Sequence, residues 1–302
     1  MKYKSMEELL MAASTMPKCR IALVNPYQKL TWMSLAQVED LKIEFICIGE
    51  ENKMIGFPKL KWASIKTVDD ENEAINAAIE LIYNGQADIL MNGLANPKKI
   101  FELIMKAEKL NERKPILSHI GLFEIPAYSK KMLFITDAGA NITPDLVTKV
   151  EITKNVVNIA HILGYENPNV AIITPIEQVN PKNLPSTVDA AAISQMGKTG
   201  QLGKCTVDGP LALDNAISER AAKIKNIKSP VAGNADILVV HDIESGNILY
   251  KILTQLTESK VAATVAGVFY PIAMPSRTDS LANRIHSMAL TKVLSLSEMQ
   301  EN

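Results

Sequence analysis

Val207-Asp208-Gly209-Pro210-Leu211-Ala212-Leu213-Asp214-Asn215-Ala216 is the stretch on which the reading of the fold turns. The residues before it, Lys204-Cys205-Thr206-Val207, have the β-branched character of a strand. The residues after it, Leu211 to Ile227, are Ala-rich and read as a helix. Asp208-Gly209 then makes the turn, and Pro210 suits a first helical turn, where no backbone N–H is needed. A strand that opens through a Gly turn into a helix presents free N–H groups and the positive end of the helix dipole. Such a corner suits a phosphate or another anion. An ordinary strand-to-helix loop has the same residues, so the weight falls on how many similar corners the chain carries.

It carries several. Arg20–Val24, Ile43–Ile48, Ala87–Met91, Ile116–Phe123, Lys131–Ile135, Asn169–Ile173, Ala235–Val240 and Val261–Phe269 are short apolar runs with strand character. Longer amphipathic segments alternate with them. These are Ser5–Thr15, Thr31–Leu41 with Thr31 as N-cap, Asp69–Tyr83, Pro97–Lys109, Pro144–Leu163, Thr187–Met196, Ile248–Thr257 and Asp279–Leu294. Asn84-Gly85 and Gly164 stop two of them. Alternation of this kind predicts a parallel α/β sheet covered on both faces. Ala87-Asp88-Ile89-Leu90 recurs as Ala235-Asp236-Ile237-Leu238, a faint echo of two related halves.

Composition narrows the function classes. The chain has 302 residues, 47% of them hydrophobic, and a formal net charge of −1. That length supports two domains. No basic block or basic-aromatic stripe points to nucleic acid. No apolar run is long enough to predict a membrane span, and Met1–Glu8 lead into no apolar signal core. Cys19, Cys47 and Cys205 are scattered in apolar surroundings, as buried small hydrophobes in a reducing cytoplasm would be. His119, His161, His241 and His286 lack metal-ligand spacing, so no metal is expected.

In such a sheet, ligands sit beyond the carboxyl ends of the strands. The polar residues expected there are Asn92-Gly93, Ser118-His119, Thr136-Asp137 with Asn141, Glu177 with Asn180, Asp208-Gly209, His241-Asp242 with Glu244 and Asn247, and Ser276-Arg277-Thr278-Asp279. Arg277 is the fixed cation of this group, and its planar fork matches a phosphate or carboxylate. Ser276 can donate to the same anion, and Asp279 reads either as a catalytic carboxylate or as the N-cap of the last helix. No G-x-S-x-G elbow, G-x-G-x-x-G turn or G-x-x-x-x-G-K-[ST] loop is present. Catalysis would therefore work by holding two substrates together and stabilising charge.

With these residues in view, the chain resembles a known family. Val207–Ala216, Asn180-Pro181-Lys182, Gly233 to Leu238, Ile243 to Asn247 and Ser276 to Ser280 are similar to motifs of the phosphate acetyl/butyryltransferases, the butyryltransferase branch above all. Leu117-Ser118-His119 and Thr136-Asp137-Ala138 through Asn141 to Leu146 fit the same pattern, so the resemblance runs from about residue 85 to 295. It implies a two-domain fold like the isocitrate and isopropylmalate dehydrogenases, with an interdomain cleft. The first domain would be 1–135 completed by 275–302, and the second 136–274. It implies reversible transfer of a short acyl group, butyryl or branched, between coenzyme A and inorganic phosphate, by direct attack of the thiolate on the acyl phosphate. Ser276 and Arg277 would bind the phosphoryl group and the oxyanion, with Asp279 the nearest carboxylate. Asn92, Ser118, His119, Asp137, Asn141, Asn180, Asp208 and Asn247 would line the substrate site. Coenzyme A is then a substrate rather than a tightly bound cofactor, with acyl phosphate and inorganic phosphate as the other ligands. The enzyme would be a cytoplasmic homodimer.

Two departures bear on that reading. The family's acetyltransferases carry an Asp seven residues after the Ser, where this chain has Asn283. Butyryltransferases generally lack it too, so the departure selects the branch. Met91-Asn92-Gly93 stands where butyryltransferases typically read Met-Lys-Gly, and His241 where the family usually has Pro. The missing lysine opens an alternative, a catalytically weak relative that binds acyl-CoA or acyl phosphate. A dehydrogenase of a phosphorylated substrate on the same fold is the other alternative. It would need metal carboxylates, for which Asp208, Asp242 and Asp279 are candidates, and a nicotinamide site that nothing here suggests.

Overall fold

The computed structural model describes residues 3–112, 114–128 and 131–298. In chain order the elements are α1 (Met6–Thr15), β1 (Cys19–Val24), α2 (Lys29–Leu35), β2 (Ile43–Gly49), α3 (Glu51–Met54), β3 (Ala63–Thr67), α4 (Glu71–Tyr83), β4 (Ile89–Asn92) and α5 (Pro97–Leu110). Then come β5 (Ser118–Glu124), β6 (Leu133–Thr136), α6 (Leu146–Ile162), β7 (Asn169–Ile173), α7 (Ser186–Lys198), β8 (Thr206–Leu211), α8 (Leu213–Ile217), α9 (Glu219–Ile224), β9 (Ile237–Val239) and α10 (Ile243–Leu256). β10 (Lys260–Ala266), β11 (Ile272–Ala273) and α11 (Leu281–Glu298) close the chain.

Two compact units result. The N-terminal unit holds residues 6–117 and the chain from 261 onward, and the central unit holds 118–260 with the first few residues. The sequence placed the crossings near 136 and 275. They fall earlier because of strand pairing. β5 pairs with β6, which pairs with β9, so 118–135 fold with the central unit. β10 pairs with β11, and β11 with β4, so 261–274 fold with the N-terminal unit.

In the N-terminal unit the strand order is β3-β2-β1-β4-β11-β10, parallel except for β10 against β11. In the central unit it is β5-β6-β9-β7-β8, parallel except for β5 against β6. The wholly parallel sheet that the alternation predicts is thus corrected at those two pairs. Among the described residues, β5 and β6 are joined by a single 3₁₀ turn (Pro126–Tyr128), and β10 and β11 by a short loop, whereas parallel neighbours require a longer crossover. Ile21, Leu23, Ile89, Met91, Val170, Ile237 and Leu238 are buried, as strands covered on both faces must be.

The echo between Asp88 and Asp236 has a common structural meaning. Asp88 Oδ2 accepts the Arg20 N–H of the neighbouring strand at 2.7 Å, and its other oxygen meets the Arg20 guanidinium at 3.2 Å. Asp236 Oδ2 accepts the Asn169 N–H at 2.8 Å, and Lys131 Nζ lies 2.8 Å from Oδ1. Each Asp binds an N–H that the ladder leaves unpaired and meets a cation there.

Side chains cap several helices, though not at the two positions expected from the sequence. Asp70, Asn96, Asp145 and Asp242 accept from N–H groups of the turns they open. Thr31 does not cap; α2 begins at Lys29, and Thr31 is buried with its Oγ1 accepting from Arg284 at 3.2 Å. Nor does Asp279 cap α11. Ser280 takes that place, its Oγ accepting from Asn283 N–H at 3.2 Å.

The opening stretch also differs from its reading. β8 runs through Gly209 and Pro210 to Leu211, and the Ala-rich segment is two short helices broken at Ser218. β8 is an edge strand, where a residue without an N–H is tolerated. An extra residue is accommodated there, since Ala171 pairs with Asp208 but Ile173 with Leu211. The helix-dipole anion corner predicted at Gly209 therefore does not exist. Ser218 caps α9 instead, accepting from Ala221 N–H at 3.2 Å.

Candidate active site

In the N-terminal unit the carboxyl ends of β1, β4 and β11 carry Asn25, Asn92-Gly93 and the segment Met274 to Ser280. Asn92 is buried and closes its own turn. Its Oδ1 accepts from Ala95 N–H at 3.0 Å, and its Nδ2 donates to Ala95 O at 3.2 Å. The Met274 sulfur is 3.4 Å from the same Nδ2. Gly93 sits beneath, its N–H donating to Val24 O at 2.8 Å. A Cβ at Gly93 would lie 2.5 Å from Asn25 O and 2.7 Å from Val24 O. Gly93→Ala is thus expected to cost about 1–3 kcal/mol of stability, since main chain must move. A calorimetric midpoint equal to wild type would contradict this.

The Ser276–Asp279 segment is a tight turn. Asp279 N–H donates to Ser276 O at 3.0 Å, and Asp279 Oδ2 accepts from Ser276 N–H at 2.7 Å. Asp279 is 1% exposed, whereas Arg277 is exposed at the surface of the turn. The Ser276 and Thr278 hydroxyls are 3.2 Å apart. Arg277 Nη2 reaches Ala95 O at 3.5 Å. Asn92, Ala95, Ser276, Arg277 and Asp279 therefore form one corner: a closed turn, an exposed guanidinium and a hydroxyl pair.

The central unit has a second corner around Asp137. Its Oδ1 accepts N–H groups from His119 at 3.1 Å and from Gly139 and Ala140 at 2.9 Å each. Its Oδ2 accepts the Asn141 N–H at 2.9 Å and Asn141 Nδ2 at 2.6 Å. Ser118 Oγ accepts from Asn155 Nδ2 at 3.0 Å. Asn247 Nδ2 donates to Ala138 O at 3.3 Å, and the His119 ring lies edge-on to Tyr250, centroids 5.6 Å apart. Ser118, His119, Asp137, Asn141 and Asn247 are thus brought together. Asn180 and Asp208 are not with them. Asn180 folds its own loop: its N–H donates to Thr187 Oγ1 at 2.8 Å, and its Oδ1 accepts from Asn183 N–H at 3.2 Å. Asp208 sits within β8, three strands from β6 and so roughly 14 Å across the sheet. Its Oδ1 accepts from Ser194 Oγ at 3.1 Å.

Lys149, Asp189 and Arg284 are functional-site neighbours that the sequence did not single out. Lys149 and Asp189 form a 2.7 Å ion pair with the lysine buried. His241 lies in its field, and burial first, then the Lys149 charge, lowers the imidazole pKa. Burial pushes the Asp242 carboxyl up, but the hydrogen bonds from Ser245 and the nearby His241 outweigh it and hold the carboxyl low. Arg284, fully buried on α11, donates to Arg277 O at 3.0 Å. Its signal in the sequence was faint: it precedes Met288 by one helical turn on the packed face of α11.

Residues 58–292 match the family described as "Phosphate acetyl/butaryl transferase". The chain belongs to this family. Among the phosphate acetyl/butyryltransferases, it is 35% identical to the phosphate butyryltransferase of Clostridium acetobutylicum over 298 residues, 96% of this chain and 98% of that one. It is similar in structure to a branched-chain phosphotransacylase from Enterococcus faecalis V583, with a TM-score of 0.81 and 31% identity over 92% of this chain and 99% of that one. A putative 4-hydroxythreonine-4-phosphate dehydrogenase from Salmonella typhimurium shares the fold alone, with a TM-score of 0.55 and 11% identity over 93% of this chain and 100% of that one. A phosphate acetyl/butyryltransferase thus shares its architecture with a dehydrogenase, but its sequence kinship lies with acyl transfer.

Proposed function

We propose that the protein transfers a short acyl group, butyryl or branched, reversibly between coenzyme A and inorganic phosphate. The observation that carries this reading is the Ser276–Asp279 turn, which leaves a fixed cation and two hydroxyls exposed while its carboxylate is buried beneath them. The coenzyme A thiolate attacks the acyl-phosphate carbonyl carbon. A C–S bond forms, the carbonyl oxygen takes the negative charge, and collapse breaks the C–O bond to release phosphate. Arg277 offsets the negative charge of the phosphoryl group and the oxyanion as it develops, and the Ser276 hydroxyl donates a hydrogen bond to it. Asp279 holds the Ser276 main chain. Asn92 shapes the turn beside Arg277. In the central unit, Ser118 and His119 of β5, Asn141 of the loop that Asp137 organises and Asn247 of α10 offer polar contacts to the substrate.

The test is phosphate-dependent release of free coenzyme A from acetyl-, butyryl- and isobutyryl-CoA. Turnover with the four-carbon substrates above acetyl-CoA supports the reading. Binding of acyl-CoA without phosphate-dependent release would favour the catalytically weak relative suggested by Asn92.

A homodimer belongs to the same proposal. α10 packs Gly246 and Tyr250 inward, while Ile248, Ile252 and Leu256 on its opposite face are 61%, 44% and 78% exposed. An apolar stripe at helical spacing is what a second copy would cover. Ile248→Asp with Ile252→Asp should sediment at the mass of one chain where wild type sediments at twice that mass. A wild-type monomer would end this part of the proposal. The free thiols of Cys19, Cys47 and Cys205 fit the cytoplasmic assignment. Burial raises the first two to about 12 and the third to about 11, so none is a ready nucleophile.

A further inference from the structure

Arg284 lies on the first turn of α11 and is 0% exposed. Its Nη1 donates to Thr31 Oγ1 at 3.2 Å, and its Nη2 to Gln28 Oε1 at 2.6 Å and to Arg277 O at 3.0 Å. These acceptors are all neutral, and Nε has no hydrogen-bond partner among the described residues. Burial pulls the guanidinium pKa below its ordinary value, and the charge of Asp279 opposes that. A buried cation without a hydrogen-bonded carboxylate is a poor device for stability, since an apolar side chain of similar volume often serves as well. Its geometry has a different use. The fork ties α2 and the residue before it to the main chain of Arg277. The other end of Arg277 is met by Ala95 O, in the turn that Asn92 closes.

We propose that Arg284 is a positioning residue, which sets the Arg277 guanidinium for its anion by fixing the Arg277 carbonyl. This rests on the acyl-transfer reading and deepens it. With the carbonyl held, the peptide plane between Arg277 and Thr278 is fixed, and the Arg277 side chain leaves the turn in one direction. A preset cation loses no reorganisation energy when charge develops on the phosphoryl oxygens. Without the tie, the turn keeps its Asp279–Ser276 bond but the guanidinium samples other positions. Small misplacements of a catalytic group have large kinetic effects.

The experiment is a double-mutant cycle on full-length protein, read as kcat/KM for phosphate. Arg284→Met in the wild-type background should lower it by about 10- to 100-fold. In the Arg277→Ala background the same change should lower it by less than about threefold, because its target is gone. Ser287→Ala, which removes the α11 hydroxyl that accepts from Ala263 N–H at 2.9 Å, reports on destabilising the helix alone and should stay within about threefold of wild type. Equal losses in both backgrounds, or a Ser287→Ala loss as large as that of Arg284→Met, would overturn the proposal. Arg284→Lys carries the same cycle if the Met variant does not fold. Calorimetric titration with inorganic phosphate is the second readout, expected to weaken with Arg284→Met only when Arg277 is present. A wild-type protein that binds phosphate without turnover would count against acyl transfer, and the titration would still decide the role of Arg284.

Discussion

Arg277→Ala is expected to lower phosphate-dependent turnover of acyl-CoA by about 10²- to 10³-fold, the usual effect of removing one donor aimed at developing charge. Its effect on stability should be small, within about 0.5 kcal/mol, as for other exposed side chains. The reason lies in what the side chain does not hold. Arg277 is exposed, and its contact with Ala95 O is long at 3.5 Å. The bonds that shape the turn use main chain and Asp279, and the Arg277 carbonyl that receives Arg284 is retained in alanine. Arg277→Lys keeps the charge and loses the planar fork, so it should recover part of the activity but not all. Steady-state release of coenzyme A, with a melting curve on the same samples, checks both halves. Turnover of Arg277→Ala within about threefold of wild type would remove this residue from the catalytic set and with it the transition-state argument. A loss that instead followed the melting temperature would make it a structural residue.

What the sequence could show depended on the range of the interactions. Ser276, Arg277 and Asp279 are adjacent in the chain, so their corner was legible as a motif. Arg277 reaches the Ala95 carbonyl, which Asn92 also holds, across 182 residues, and Arg284 and Thr31 meet across 253. No local pattern reports such pairs. Periodicity found the buried strands but not β3, which is mostly exposed, or β11, which has two residues. Pro210 misled because a missing N–H is tolerated both at a helix start and on an edge strand. Only the position of β8 at the sheet edge distinguishes these. Asp279 reads in the sequence either as a catalytic carboxylate or as a helix cap, since Asp is good at capping, but Ser280 stands one residue nearer to α11 and takes the cap. Released from capping, Asp279 reaches back to Ser276. Asn92 is the inverse case. A missing cation was legible, yet the compensating task of closing a turn required coordinates.

Asp137→Asn should destabilise the central unit nearly as much as Asp137→Ala. Five N–H donors converge on the two carboxylate oxygens, four from main chain and one from the Asn141 side chain. A carboxylate accepts on both oxygens, but an amide accepts on one and donates from the other. If the Asn oxygen faces His119, Gly139 and Ala140, its NH₂ confronts the two donors of Asn141. Turned round, it confronts three. Asp137 is buried at 3% exposure, so water replaces few of the lost bonds. Hydrogen bonds to a charged acceptor contribute about 1.5–3 kcal/mol each and are not additive within one hub. A loss of about 3–5 kcal/mol is therefore expected for either variant. Because 118–141 and α10 meet at this loop, through His119 N–H and through Asn247 to Ala138 O, activity should fall with it. Gly246 reinforces the point: a Cβ there would lie 2.5 Å from Asp137 O, so α10 is packed against the loop itself. The measurement is differential scanning calorimetry of both variants beside activity at a temperature where each is folded. If Asp137→Asn melts with wild type while Asp137→Ala does not, one accepting oxygen is enough and the charge is dispensable. If both melt with wild type, the loop is held by β6 and α10 packing rather than by the carboxylate.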